Sequence, residues 1–445
     1  MNDKEILVIG GGPAGITIAK LLGKRKSVGI IRPEDYSMIY CAMPYAIEGL
    51  MPAEKVFKKD VLVTDAGAEL IRGTVTQVAF DQKTVTLHDG RVYRYDKLII
   101  ATGAEPVRPP IQGVDLNNVH VFKTQKDLER VQQAVKSDQI KKAVVVGAGA
   151  IGIELVQALN HVHVQTHLVD MAPSVLPNLV DADFSQEVLR ELSDLGIHVH
   201  LNSSVRCVEG TDTAERVVLA DGASLSLDGS GIVVFAVGMH VNTALFEGTG
   251  LEIGRQGIVI NNKMETSIRD VYAVGDCAQY ISGITGEPVP GKLATNAVPM
   301  ARMLAKNLLG DHRTYRGFYN GAATKVGKYF IGGTGLTVNA AQGRFDVVIG
   351  EAELTTAFPI MPNARPAKMK LVADKNTLNI IGGQVLAEVP VTDKADMITL
   401  AIQAGLTVRD LTGFSYSAQP YQSFFPANNL IVACAENILG KLDKG

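Results

Sequence analysis

The sequence predicts an α/β protein with two nucleotide-binding domains followed by a C-terminal α+β domain. Three observations carry this expectation. The chain opens with an apolar strand, a GxGxxG loop and a helix, in that order. The same order returns from Lys142. From about Tyr315 the pattern changes to strands and helices without a third such loop. Each of the first two units is Rossmann-like, because the N–H groups at such a helix start meet a pyrophosphate.

The first unit begins with Ile6-Leu7-Val8-Ile9, a continuous apolar strand. Gly10-Gly11-Gly12-Pro13-Ala14-Gly15 follows, and residues 16–22 read as a helix. Gly10, Gly12 and Gly15 allow the turn, the approach of a phosphate and tight helix–strand packing, with Pro13 and Ala14 at the helix start. The second strand, Val28-Gly29-Ile30-Ile31, should end in an acid that binds a ribose hydroxyl. Arg32-Pro33 stands there instead, and Glu34 is the nearest carboxylate. Either Glu34 takes that role, or Arg32 contacts the ribose or a phosphate.

Next comes Ser37-Met38-Ile39-Tyr40-Cys41-Ala42-Met43-Pro44-Tyr45. Pro44 suits the first turn of a short helix, and Gly49 suits its end. A thiol at a helix N-terminus has its thiolate stabilised by the positive end of the dipole. Taken alone, Cys41 reads as a small buried hydrophobe, since unpaired cysteine is among the most buried residue types.

The second unit opens on Lys142-Ala143-Val144-Val145-Val146, then Gly147-Ala148-Gly149-Ala150-Ile151-Gly152. The following strand ends in Asp170, 18 residues past Gly152. That is close to the usual offset of ~20 for the ribose-binding acid. A carboxylate there accepts hydrogen bonds from both ribose hydroxyls and repels a 2′-phosphate, which favours NADH over NADPH. Two complete loops imply two bound nucleotides, as when a reduced nicotinamide feeds a flavin.

Composition excludes several alternatives. Lys and Arg number 43 against 46 Asp and Glu in 445 residues, which gives no support for nucleic acid or an anionic membrane as main partner. There is no run of eighteen apolar residues to span a membrane, and the polar start Met1-Asn2-Asp3-Lys4-Glu5 is not a signal peptide. Cys41, Cys207, Cys277 and Cys434 show neither a CxxC pair nor zinc spacing, so no metal is expected. The expectation is a reducing, cytoplasmic setting.

Further segments carry a resemblance. They are Tyr95-Asp96-Lys97-Leu98-Ile99-Ile100-Ala101-Thr102-Gly103-Ala104, Phe235-Ala236-Val237-Gly238-Met239-His240-Val241-Asn242-Thr243, and Thr266-Ser267-Ile268-Arg269-Asp270-Val271-Tyr272-Ala273-Val274-Gly275-Asp276. With the two loops they make the chain resemble the FAD-dependent pyridine nucleotide-disulfide oxidoreductases over nearly its whole length. The resemblance implies FAD on residues 1–115 and 245–314, NAD(P)H on 116–244 and a dimerisation domain over 315–445. It implies that Ala101, Thr102 and Gly103 lie in the crossover between domains and Gly238 in the return. It places Val75 near the FAD adenine, Asp276 on the ribitol, and Ala294 and Thr295 at a helix start aimed at the flavin. Glu154 is implied near the nicotinamide–flavin contact.

The branch follows from what is missing. The partner position of a Cys-x4-Cys pair is Ala46, and the place of a C-terminal His-Pro is Gln419-Pro420. Ser37, Cys41, Pro44 and Tyr45 resemble the single-cysteine branch of coenzyme A-disulfide reductases, NADH-dependent persulfide reductases, and NADH oxidases and peroxidases. Departures stand beside the match. Pro13 occupies the place of the histidine of the oxidases and peroxidases, and Tyr40 that of the asparagine of coenzyme A-disulfide reductases. Ile360 and Ser417 fall where those reductases carry tyrosines, and Lys24, Arg25 and Lys26 are either a phosphate contact or a solvated helix end.

Residues 324–337 and 367–373 read as strands and residues 395–404 as a helix ended by Gly405. The family resemblance makes this region the homodimer contact, with residues 415–425 completing the partner's active site. The expected activity is NADH reduction of a disulfide, persulfide or polysulfide through Cys41, with Tyr421 or Tyr416 of the second chain as proton donor. An NADH oxidase using O2 and a slowly turning redox sensor or electron carrier are the alternatives.

Overall fold

The computed structural model describes residues 2–137 and 140–444. The chain divides into two compact units: residues to Val107 with Lys123–Gln125 and Gly238–Phe318, and Arg108–Phe122 with Lys126–Val237 and the chain from Tyr319 on.

The first unit is built on one sheet whose strands run in the order Glu69–Arg72, Val28–Arg32, Asn2–Ile9, Val92–Ile100, Thr84–Leu87, Val75–Ala79. Val271–Ala273 also pairs in parallel with Val92–Ile100, through Val271↔Leu98 and Ala273↔Ile100. Asn2–Ile9 lies centrally, in register Ile9↔Ile31 on one side and Ile9↔Ile100 on the other. Its carboxyl end is therefore where the strand order reverses, the place where such sheets take ligands. Every residue of Val28–Arg32 is buried, as expected of a strand covered on both faces. Leu7, Ile30, Leu98 and Ile99 are fully buried in the core, each contributing about 1.5–3 kcal/mol by leaving water.

The second unit holds a parallel sheet in the order Val119–Val121, Gly231–Phe235, Lys142–Val146, Gln165–Val169, His198–His200. It also holds an antiparallel sheet in the order Ala322–Val326, Tyr329–Gly335, Ile380–Ala387, Pro366–Asp374, Val347–Thr355. The stretch 324–337 is a hairpin rather than one strand. The chain reverses at Gly327-Lys328, with Gly327 at φ +52°. A buried polar knot ties the start of helix Ala182–Asp194 to the antiparallel sheet. Asp181 accepts from Val338 N (3.0 Å) and Gln384 Nε2 (2.5 Å), and its own N–H donates to Gln384 Oε1 (2.9 Å). Helix Thr392–Ala404 ends at Gly405 in the left-handed region, and Asn429 caps Leu430–Leu442 through Ile431 N at 2.9 Å.

The two nucleotide sheets are closed by the same device. A Cβ at Gly10 (φ +118°) would lie 2.1 Å from the Ala101 carbonyl oxygen, and one at Gly147 (φ +113°) 2.4 Å from that of Ala236. A Cβ at Gly12 meets no atom within 4 Å. Gly10→Ala should therefore lower stability by about 2 kcal/mol or more, through strain and overpacking, while Gly12→Ala stays within about 0.5 kcal/mol. Denaturant unfolding of the two variants checks this, and equal losses would contradict it.

At the edge of the parallel sheet three histidines meet. His167 Nδ1 lies 3.0 Å from His200 Nε2, and its ring stacks on His198 at 4.8 Å. Burial, then the charges of His198, His200 and Lys142, pushes His167 down from 6.5 to about 4. Burial and His198 also lower His200, against the pull of Asp221. A depressed folded value means that the neutral ring is the stable one. Its contribution is complete above about pH 6.5 and is lost as pH falls toward about 4. Melting temperature should fall through that window, and His167→Asn should flatten the slope. An unchanged slope would contradict the assignment.

Candidate functional site

In the first unit the loop after Asn2–Ile9 is held by its backbone. Gly10 N donates to Ile31 O (2.8 Å), and Ile16 N to Gly12 O (3.0 Å). Helix Pro13–Leu22 starts with Pro13 in its first turn and no acidic side chain there, so its positive end is not neutralised from within. A Cβ at Gly15 would lie 2.2 Å from Gly10 O, which packs the helix directly onto the loop. Ala14 reaches the Gly275 position, where a Cβ would lie 3.5 Å from its own and 3.4 Å from that of Ala297. The fold thus brings Gly10, Gly12, Pro13, Ala14 and Gly15 to Gly275-Asp276 and to helix Ala294–Asn307. Ala294 and Thr295 are exposed at that helix's start, which also lacks an acid in its first turn.

Asp276 is half-buried, and its Oδ1 accepts from the Tyr280 hydroxyl at 3.2 Å. Burial pushes the Tyr280 hydroxyl far above its ordinary range, so it is a neutral donor. Lys292 Nζ donates to Gln256 O (2.8 Å) and Ala278 O (3.0 Å) and lies 4.8 Å from the Tyr280 ring centroid. The two crossover segments pair with each other as antiparallel strands Ala104–Pro106 and Met239–Val241. Ala101 N donates to Ile9 O (2.8 Å), Thr102 Oγ1 to Asn242 O (2.7 Å), and Asn242 N to Gly103 O (3.0 Å). Gly238 stands at φ +117° and its carbonyl accepts from Val107 N (3.0 Å). Val75 begins its strand half-buried against the same core.

At the end of the second strand Arg32 is buried. It pairs with Asp60 and donates to Glu34 O (3.2 Å) and Gly11 O (3.4 Å). Arg72 also pairs with Asp60 and donates to Glu34 O at 2.6 Å. Glu34 is exposed and enters this cluster through its carbonyl. Burial lowers the Arg32 pKa while Asp60 opposes the shift. Arg72 and Asp60 had no signal in the sequence. Arg72 is placed by the register Arg32↔Arg72 between strands far apart in the chain.

Cys41 is exposed, against the expectation for an isolated cysteine, whereas Cys207, Cys277 and Cys434 are buried. Cys277 donates to Ile100 O and Val274 O, both 3.5 Å, and Cys434 to Met369 O at 3.3 Å, as packing residues do. Cys41 sits in the 3-10 turn Tyr40–Ala42, just ahead of helix Met43–Glu48, whose end is Gly49 at φ +85°. The thiol therefore precedes a six-residue helix instead of capping it, so little dipole stabilisation is available. Ser37 Oγ is buried without a hydrogen-bond partner within the protein. This orphan, together with a loop open at Gly12 and two helix starts lacking acids in the same unit, suits a polar phosphate-bearing group such as FAD.

The second unit repeats the design. Gly147 N donates to Val169 O (2.8 Å) and Ile153 N to Gly149 O (3.0 Å). A Cβ at Gly149 meets nothing within 4 Å, while one at Gly152 would lie 1.8 Å from Gly147 O. Helix Ala150–His161 has no acid in its first turn, and Ile151 is exposed on it. Asp170 accepts from Ala148 N (2.5 Å) and Ala172 N (2.7 Å), which aims its carboxylate along the loop. These features fit a dinucleotide. Glu154 accepts from Thr324 Oγ1 at 2.8 Å. Tyr416 donates to Pro426 O (2.8 Å) and Tyr421 is 57% exposed, both in the second unit, whereas Cys41 belongs to the first.

Comparison with known proteins agrees with this geometry. Residues 4–301 match the pyridine nucleotide-disulphide oxidoreductase family and residues 322–423 its dimerisation domain. The chain is 32% identical to an NADH oxidase of Methanocaldococcus jannaschii, over 98% of this chain and 99% of the relative. It is 28% identical to a CoA-dependent NAD(P)H sulfur oxidoreductase of Pyrococcus furiosus, over 92% and 94%. A solved NAD-dependent persulfide reductase from A. fulgidus superposes with TM-score 0.94 at 26% identity, covering 100% of this chain and 84% of the other. Among the described residues no helix is long and apolar enough to cross a membrane. The chain belongs to the pyridine nucleotide-disulphide oxidoreductase family, whose members are FAD- and NAD(P)H-dependent oxidoreductases.

Proposed function

We propose that this chain is an NADH-dependent flavoprotein that reduces a persulfide, polysulfide or disulfide at Cys41. One observation carries the reading. Cys41 is the exposed cysteine, in the unit that also holds the first glycine loop and Asp276, and the other three cysteines are buried. The names of the Pyrococcus furiosus and A. fulgidus relatives support a sulfur acceptor.

FAD, when bound, supplies a two-electron relay between nicotinamide and sulfur. Gly10, Gly12, Pro13, Ala14, Gly15 and Arg32 would hold its diphosphate and ribose, Asp276 its ribitol, and Ala294 and Thr295 its ring system. Gly147, Gly149, Ile151, Gly152 and Asp170 would hold NADH. The Cys41 thiolate attacks one sulfur of R–S–S–R′. The S–S bond breaks, RS stays on Cys41 as a mixed disulfide, and R′S⁻ leaves and takes a proton. Tyr421 or Tyr416 of a second chain is the proposed donor of that proton. Two electrons from NADH and one proton then cleave the mixed disulfide, releasing RSH and restoring the thiolate. A homodimer is supported by the matched dimerisation domain and by exposed Ile360 (87%) in a turn and Leu400 (65%) on helix Thr392–Ala404. Widely separated cysteines suit a reducing, cytoplasmic setting.

A second reading, NADH oxidation by O2, is favoured by the name of the Methanocaldococcus jannaschii relative. Pro13 in the place of the oxidase histidine stands against it. NADH-dependent O2 uptake faster than any sulfur reduction would establish it.

Cys41→Ser should cut anaerobic NADH turnover with persulfide or coenzyme A disulfide by about 100-fold or more, while NADH still reduces the bound FAD. Undiminished turnover would sink the reading. Asp170→Ala should lower the NADH-to-NADPH ratio of kcat/KM by about tenfold or more, because the carboxylate no longer repels the 2′-phosphate. A ratio that does not move would show that Asp170 does not set the choice.

A further inference from the structure

Three residues, Lys123–Gln125, belong to the first unit although the chain on either side of them belongs to the second. They dock on the stretch that carries Cys41. Lys123 Nζ donates to the Ala104 carbonyl and lies 5.0 Å from the centroid of the Tyr40 ring. Gln125 N donates to the Tyr36 hydroxyl at 3.4 Å, and the Tyr36 ring meets Phe57 edge-on at 5.3 Å. The backbone under Tyr40 is pinned as well. Ile39 N donates to Val56 O (2.8 Å) and Ala42 N to Ile39 O (3.0 Å).

Tyr40 is an aromatic residue with 41% of its surface exposed, directly beside an exposed thiol. An exposed side chain normally samples several rotamers. Here a cation lies over its ring, within the range where cation–π attraction acts. Burial lowers the Lys123 pKa, but the carboxylates of Asp276 and Glu105 favour its charged form. Burial pushes the Tyr40 hydroxyl up to about 12, so it stays protonated well above neutral pH. The ring of the residue that directly precedes Cys41 is thus held by Lys123.

We propose that Tyr40, positioned by Lys123, is a size filter beside Cys41 that admits short sulfur chains, such as persulfides and polysulfides, and disfavours bulky disulfides such as that of coenzyme A. The proposal rests on the sulfur-reducing reading and adds the acceptor class. Lys123 acts through Tyr40 and is a positioning residue.

The test compares two uncharged thiol reagents on the FAD-loaded protein without NADH. Methyl methanethiosulfonate is small: the Cys41 thiolate takes its methylthio group and releases methanesulfinate. Dithiodipyridine is bulky: the thiolate takes one thiopyridyl group and releases thiopyridone. Rates are divided by those of glutathione with the same reagents, and labelling that persists in Cys41→Ser is subtracted. Tyr40→Ala should speed the bulky reagent about tenfold and change the small one less than about twofold. Lys123→Met should give the same asymmetry, and Lys123→Arg, which keeps the cation, should restore the wild-type ratio. Equal changes with both reagents, or none, would overturn the filter. Anaerobic turnover with polysulfide and with coenzyme A disulfide separates this proposal from the reading beneath it. A shifted labelling ratio without Cys41-dependent turnover of either acceptor supports the filter and overturns the sulfur reading. Cys41-dependent turnover with an unmoved labelling ratio does the reverse.

Discussion

A carbonyl oxygen stands where a side chain at Gly10 would be, 2.1 Å from the Cβ position, and that close approach organises the first unit. It lets the central strand turn sharply into helix Pro13–Leu22 against the end of Val92–Ile100. The crossover Ala101-Thr102-Gly103 is thereby laid beside the loop, with Ala101 N bonded to Ile9 O at 2.8 Å. Val271–Ala273 pairs with the same strand Val92–Ile100 and delivers Gly275-Asp276 to the loop's other flank. The second unit solves the same problem in the same way, with Gly147 against Ala236. In both, the glycine meets the segment where the chain enters or leaves a nucleotide sheet, so one steric requirement sets both the turn and the crossover.

Around that turn the electrostatics divide into a positive end and a sulfur end. Arg32 and Arg72 share Asp60 at the strand ends, so two cations meet one carboxylate beside a helix start with no acid in its first turn. Such a balance favours an anionic ligand there. Cys41 lacks a full helix dipole, because the thiol sits in a 3-10 turn ahead of a six-residue helix. What sets it apart from Cys207, Cys277 and Cys434, which are buried, is its exposure rather than that dipole.

What could be read from the sequence was local. The two glycine loops and the acid at Asp170 are each defined by neighbours within about 20 residues, and their spacing carries their geometry, while the Gly275-Asp276 pair was legible only through the family resemblance. Helix Thr392–Ala404 and its Gly405 end were legible for the same reason. The features that escaped depend on long-range pairing. Arg72 reaches Asp60 and Glu34 only because Glu69–Arg72 pairs with Val28–Arg32. Lys123 meets Tyr40 only after the chain has left the first unit and touched it again. The Asp181–Gln384 knot joins residues 203 apart. The exposure of Cys41 ran against the general tendency of cysteine, because a short strand and a turn hold it at the surface.

The central claim is that Cys41 carries substrate sulfur between acceptor and NADH. Peptide mass spectrometry of the FAD-loaded protein tests it most directly, after anaerobic incubation with one equivalent of a persulfide or disulfide and no reductant. The account predicts a substrate-derived mixed disulfide on the peptide containing Cys41, absent from the peptides of the other three cysteines, which disappears when NADH is added. No adduct at Cys41, or one that NADH leaves in place, would contradict it.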